Sequence, residues 1–375
     1  MRVAFITSQA VSRAGWGRYS VELITGARQL GIEPVLIMSP GPVDEALQDI
    51  ERHAILPPVL EQRFATPRSL LAAPQLRGVL RTCDVAHCIV ELYAPLVSLA
   101  LGGLSTRFVL SVFGTWAIRP LESRAQRLFF APAFRRADRI LAISGFTRDW
   151  MARLMALPET EVLAGGVHPA RFGAPVAAEL PPQISEGPLV ISVGAVKPRK
   201  GQDVAVEAIA HVREHIPKVQ YAMAGRDDEM PEFTARLRER IAELGLEDNV
   251  HFLGQLPPYS TLVKLYQAAD VFLLPSTNQG SSFEGLGFVF LEAAAAGTPA
   301  IGTHGCGAME AIRAGETGIL VPQHDPAATA AALLRLLRDD DLRGRMAAAG
   351  PAHAERLSWD NLAQRAVEVY KELVC

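Results

Sequence analysis

The stretch Ser281-Ser-Phe-Glu-Gly-Leu-Gly-Phe-Val-Phe-Leu-Glu292 constrains the chain most, because of what flanks it. An apolar run at 271–274 precedes it, and Gly297-Thr-Pro-Ala-Ile301 leads from it into a second apolar run. The pattern is strand, Ser/Gly-rich turn, helix opening at about Gly287, then strand. Repeated along a chain, such units form a parallel sheet covered on both faces, with ligand-binding loops at the carboxyl ends of the strands.

Glu284 falls in the turn and Glu292 inside the helix. If the interval were wholly helical, a rise of about 1.5 Å per residue would separate the two by roughly 12 Å. That is the span from a hexose, across a diphosphate, to a ribose. An anion between them would sit near the helix N-terminus, where unpaired N–H groups and the helix dipole favour negative charge.

Similar units recur. Residues 3–6 read as a strand, followed by Gly15-Trp-Gly-Arg-Tyr19, a helix to Leu30 and a second strand at 34–38. Further strands are expected at 85–90, 108–112 and 139–143, with Ser144 or Thr147 capping the helix that follows. Residues 173–188 carry little periodicity and read as a linker. A second series then starts with strands at 189–193, 221–224, 250–256 and 271–274, and a last helix runs from Trp359 to Leu373. A chain of 375 residues suits two domains.

Composition narrows the function. A net charge of −3 argues against a general nucleic-acid-binding surface. Cys83, Cys88, Cys306 and Cys375 lack the paired spacing of a zinc site and suit a reducing compartment. The N-terminus reads as a strand, and no apolar run approaches membrane-spanning length, so a cytoplasmic location is expected.

In Gly194-Ala-Val-Lys-Pro-Arg-Lys-Gly201, Arg199 and Lys200 fall between a strand and a helix. That placement brings two cations to the carboxyl end of the sheet, where Arg grips phosphate with two N–H groups and Lys adds a compact charge. Asp227-Asp228 is adjacent rather than spaced, reads as a surface turn, and does not suggest a metal.

The Glu284…Glu292 stretch resembles the Glu, seven residues, Glu motif of retaining glycosyltransferases of family four, which have the GT-B fold. The resemblance covers most of the chain. Residues 137–148 are similar to the last strand and helix entry of that family's first domain, and Gly165-Gly-Val-His-Pro169 to the segment that ends it. Gly305-Cys-Gly-Ala-Met-Glu310 is similar to its Gly-Gly, then Glu, turn. It implies an α/β chain of two Rossmann-like domains whose parallel sheets face each other across a cleft. The first would span 1–175, acceptor-side, with the helix 359–375 packing back on it. The second, at 188–358, would bind the nucleotide sugar.

The implied reaction is metal-independent, retaining transfer of a hexose from a UDP- or GDP-sugar to an acceptor hydroxyl, without a cofactor. Glu284 would orient the sugar and Glu292 hold the ribose. Leu256 would offer its backbone to the base, and Phe288 and Val289, just after Gly287, their amides to the diphosphate and sugar. Lys200 and Arg199 would meet the diphosphate, with Lys197 assisting, and Gly15 and Gly17 would let the backbone approach it. The family commonly has His at the place of Phe113, where it contacts the donor sugar; here either Thr115 substitutes for it or the sugar is bound differently.

The acceptor would be a glycan, a lipid-linked sugar or a small molecule. An epimerase or phosphorylase of the same architecture, or a non-catalytic sugar-nucleotide sensor, is the alternative. Residues 119–136, basic with Leu128, Phe129 and Phe130, suit either a membrane-surface helix or a core helix, so peripheral contact at the inner face of the membrane stays open.

Overall fold

The computed structural model describes residues 1–12, 15–59, 71–257 and 259–375. They form two compact units, one of residues 1–166 and 359–375, the other of residues 167–358.

The first unit contains a seven-stranded sheet. Its strands are β1 (Arg2–Thr7), β2 (Glu33–Met38), β3 (Glu51–His53), β4 (Val85–Cys88), β5 (Arg107–Val112), β6 (Arg139–Ala142) and β7 (Thr160–Val162). Their order is β3-β2-β1-β4-β5-β6-β7, with parallel pairing throughout. Strands β1, β4, β5 and β6 are buried along nearly their whole length, which explains why they read as continuous apolar runs rather than alternating ones.

The second unit holds a six-stranded sheet of β8 (Leu189–Val193), β9 (Gln220–Ala224), β10 (Val250–Gly254), β11 (Val271–Leu273), β12 (Ala300–Thr303) and β13 (Gly318–Val321). The order is β10-β9-β8-β11-β12-β13, again parallel. The α/β class expected from the repeated strand–helix pattern is what the chain adopts. Its core gathers Val190, Tyr221, Val271 and Ile301 from the sheet with Ile209 and Leu333 from covering helices.

Local chemistry sets the helix ends. Ser144 Oγ accepts the Thr147 N–H at 3.2 Å and so is the cap of the helix Gly145–Leu154. Asp325 and Asp339 cap the helices Pro326–Arg338 and Asp340–Arg356 through N–H bonds of 2.8 Å each.

Two of the boundaries that differ from the sequence reading have a clear local cause. The short helix Pro169–Gly173, expected to end the first domain, belongs to the second unit. The reason is Phe172, fully buried with its ring 5.9 Å from Tyr259 and 5.6 Å from Tyr266. Strand β4 stops at Cys88, short of the expected residue 90, because the chain turns into a 3-10 helix, Glu91–Tyr93.

The helix Trp359–Val374 belongs to the first unit. A Cβ on Gly26 would lie 2.5 Å from the Ala363 side chain, so glycine permits the close contact of that helix with Gly15–Gln29. Tyr370 Oη lies 2.5 Å from His87 Nδ1, and Arg365 pairs with Glu161 at 2.6 Å.

Candidate active site

In the second sheet, β8 and β11 are neighbours at the point where the strand order reverses. Such a reversal point, outside the carboxyl ends of the strands, is the usual ligand position in open parallel sheets. The Pro198–Lys200 turn follows β8, and the segment carrying Glu284 follows β11.

The two segments are bonded to each other. Thr277 N–H donates to the Arg199 carbonyl at 2.9 Å, and Thr277 Oγ1 to the Pro198 carbonyl at 3.3 Å. Their side chains converge on one oxygen. Glu284 Oε2 accepts Lys200 Nζ at 2.7 Å, Arg199 Nη1 at 3.0 Å and Ser276 Oγ at 3.4 Å. Glu284 is 8% exposed.

Burial alone would raise the Glu284 carboxyl, but Lys200 and Arg199 together hold it down, to about 2. Burial pulls the Lys200 ammonium below its ordinary value, and Arg199 and Lys197 add to this while Glu284 opposes it. Two cations share one carboxylate, so the cluster carries a surplus positive charge in a desolvated place. Such an arrangement favours an arriving anion.

The third wall comes from the last residue of β12 and the loop after it. Gly307 N–H donates to the Glu284 carbonyl at 2.8 Å, and Thr303 Oγ1 to the Ser276 carbonyl at 2.6 Å. A Cβ on Gly307 would stand 1.8 Å from the Gly285 carbonyl oxygen, so these backbones can approach only with glycine there.

Gly287 takes a left-handed conformation, φ 82°, and stands before the helix Phe288–Ala295, whose N-terminus has no side-chain cap. Phe288 and Val289 open that helix, both half-buried. Glu292 lies one turn on, 3% exposed, and accepts the Tyr266 hydroxyl at 2.8 Å.

The structure thus brings Glu284, Lys200 and Arg199 together and sets Glu292 against Tyr266. Leu256 is half-buried in the loop after β10, two strands from β8. Lys197 pairs with Glu229 at 3.1 Å. Asp227 and Asp228 are held by Arg238 and Arg226.

In the first unit, the helix starts at Gly15 itself (φ 57°), and Gly17 is buried where a Cβ would come 2.5 Å from the Val11 carbonyl oxygen. The Phe113 ring is edge-on to Tyr19 at 4.6 Å, and Thr115 opens the helix Thr115–Glu122. Sequence reasoning missed Ser276 and Thr277, although their place directly after β11 was a signal. It also missed Glu91, a lone carboxylate amid the apolar residues that follow β4.

Two parallel-sheet units of Rossmann type, with a cationic cluster at the switch point of the second, define the GT-B class of glycosyltransferase folds. Comparison with known proteins agrees. Residues 181–353 match the family "Glycosyl transferases group 1", and residues 14–171 match "Glycosyltransferase Family 4". A phosphatidyl-myo-inositol mannosyltransferase of Mycobacterium leprae is 31% identical over 77% of this chain and 73% of its own length. The chain belongs to glycosyltransferase family four.

A D-inositol 3-phosphate glycosyltransferase of Corynebacterium urealyticum is 41% identical over 48% of this chain and 42% of its own length. The matched region thus covers less than half of that relative. A crystal structure of Anabaena Alr3699/HepE in complex with UDP and glucose superposes with a TM-score of 0.78 at 19% identity, covering 99% of this chain and all of that one. At that identity the likeness concerns the fold.

Proposed function

We propose that the protein transfers a hexose from a UDP- or GDP-sugar to an acceptor hydroxyl with retention of configuration and without a metal. The Lys200–Glu284–Arg199 cluster carries this reading. Cleavage of the bond between the anomeric carbon and the phosphate oxygen leaves a nucleoside diphosphate and an oxocarbenium-like sugar. The fixed cations meet the charge that develops on the diphosphate.

The acceptor oxygen attacks from the face the diphosphate leaves, and its proton passes to the departing phosphate oxygen. A double displacement would need a second carboxyl about 5 Å from the nucleophile, and Glu284 is instead engaged by cations and Ser276. In this reading Glu284 orients the sugar hydroxyls once the donor draws Lys200 and Arg199 to its phosphates. Glu292 turns from Tyr266 to the ribose, Leu256 meets the base, and the amides of Phe288 and Val289 complete the diphosphate site.

The first unit, with Gly15 and Gly17, faces the acceptor. The names of the two relatives favour a phosphorylated or lipid-linked cyclitol as that acceptor.

Thermal unfolding with UDP-, GDP- and ADP-sugars tests the donor. A ligand at about 100 times its Kd stabilises by about 2.7 kcal/mol. One donor should raise the transition clearly, and K200A should abolish the rise. Product analysis should then show free nucleoside diphosphate and a new glycoside of unchanged anomeric configuration. A folded protein that ignores every donor overturns the proposal, and an epimerised donor or phosphorolysis would identify the alternative enzymes.

A further inference from the structure

The first sheet has its own reversal of strand order, between β1 and β4. Glu91 stands there, first residue of the 3-10 turn Glu91–Tyr93 after β4. It is fully buried. Groups from three segments meet at its carboxyl. Oε1 accepts the backbone N–H of Phe113, from the turn after β5, at 3.1 Å. Trp16, on the first turn of Gly15–Gln29, supplies a side-chain hydrogen bond, and Glu91's own backbone N–H adds another. Oε2 is buried without a hydrogen-bond partner.

The two turns that Glu91 ties are aromatic. Trp16 and Trp116 have ring centroids 6.2 Å apart, and both are half-buried. Arg119 lies over the Trp116 ring at 5.1 Å. An indole face of this kind suits the C–H face of a saturated ring, while a rim guanidinium suits an anionic substituent.

We propose that Glu91 is a positioning residue that acts as a neutral carboxylic acid, fixing the Trp16 and Phe113 turns so that the first unit can receive a ring-shaped acceptor. This rests on the glycosyl-transfer reading given above and adds a residue and a protonation state to it. A buried carboxylate without a paired cation is costly, whereas the neutral acid is tolerated. Burial pushes the carboxyl up to about 8, against the three hydrogen bonds just named.

Among ionisable groups nearby, the Cys88 thiol on β4 is itself raised by burial and then by Glu91. Tyr93, in the same turn, donates to the Pro57 carbonyl at 2.6 Å. Arg18, Tyr19 and Glu22 lie on the helix Gly15–Gln29, and Arg119 and Glu122 on Thr115–Glu122. Ionisation of Glu91 above about pH 8 would place an uncompensated charge between the two turns and loosen both.

The test combines a substrate-free and a kinetic readout. Tryptophan emission of the wild type should titrate with a midpoint near 8, and the transition should vanish in both E91Q and W16F. If only the neutral form receives the acceptor, its KM should rise about tenfold from about pH 7 to about pH 9, since apparent affinity scales with the competent fraction. E91Q, neutral throughout, should keep the low acceptor KM and lose the pH dependence, whereas E91A should raise that KM at every pH.

A transition that persists in E91Q, or is absent from folded wild type, overturns the proposal. So does an acceptor KM profile identical in wild type and E91Q. If no transfer is found but the emission titrates as described, the glycosyl-transfer reading fails while the role of Glu91 in fixing the two turns stands.

Discussion

Glu284 keeps its charge in a buried place only because Lys200 and Arg199 offset the loss of water. That lowered carboxyl contributes stability at neutral pH, offset in part by the burial that lowers the Lys200 ammonium. The unfolded chain takes up this proton near pH 4.5 and the folded chain only near 2. The contribution is therefore complete above pH 4.5 and is lost as pH falls towards 2. E284Q, which leaves two cations without a counter-charge, should cost about 3–5 kcal/mol at neutral pH. The gap between wild type and E284Q in thermal unfolding should narrow on acidification, and a constant gap would contradict this ion pairing. The types of these residues were legible in the sequence, but their partnership was not. Arg199 and Glu284 are 85 positions apart, and no local pattern shows which strands adjoin.

Among elements, the loops after β8, β11 and β12 form one bonded assembly around Glu284. Gly307→Ala would drive a methyl into the Gly285 backbone although its own φ, −66°, suits any residue. Overpacking of this kind costs about 1–3 kcal/mol. The urea midpoint should fall accordingly, and the stabilisation by donor should be lost with it. A G307A variant with wild-type donor binding would show that the loops move independently. Most strand positions were readable because buried parallel strands are unbroken apolar runs, whereas β3 and β7, which are not fully buried, were not read. The role of helix Tyr259–Ala268 was not, since Tyr266 reaches Glu292 and Phe172 only through folding. Glu91 escaped for a like reason, because a lone acid after a strand reads as a solvated turn until burial is known.

For the whole molecule, the expectation about membranes turns on the helix Arg124–Arg135. Leu128 is 75% and Phe129 60% exposed, beside exposed Arg124 and Arg135, while Phe130 and Phe134 fill the core. Phe130 and Phe134 thus fit the core-helix reading, and Leu128 and Phe129 form an exposed apolar pair. Among the described residues no helix is long and apolar enough to cross a membrane. We expect peripheral binding to vesicles containing phosphatidylglycerol. Combined L128E and F129E should weaken it by about 2 kcal/mol, roughly thirtyfold, in co-sedimentation. Equal binding by the variant would place the contact elsewhere.

The second unit is one uninterrupted segment, whereas the first is assembled from residues 1–166 and the distant 359–375. On the ribosome, residues 167–358 can therefore finish folding while the earlier-made sheet still lacks the helix that supplies Trp359 and Tyr370 to its core. The nascent first unit waits with that apolar surface bare until residues 359–375 have been made, and this interval is when chaperones would find it.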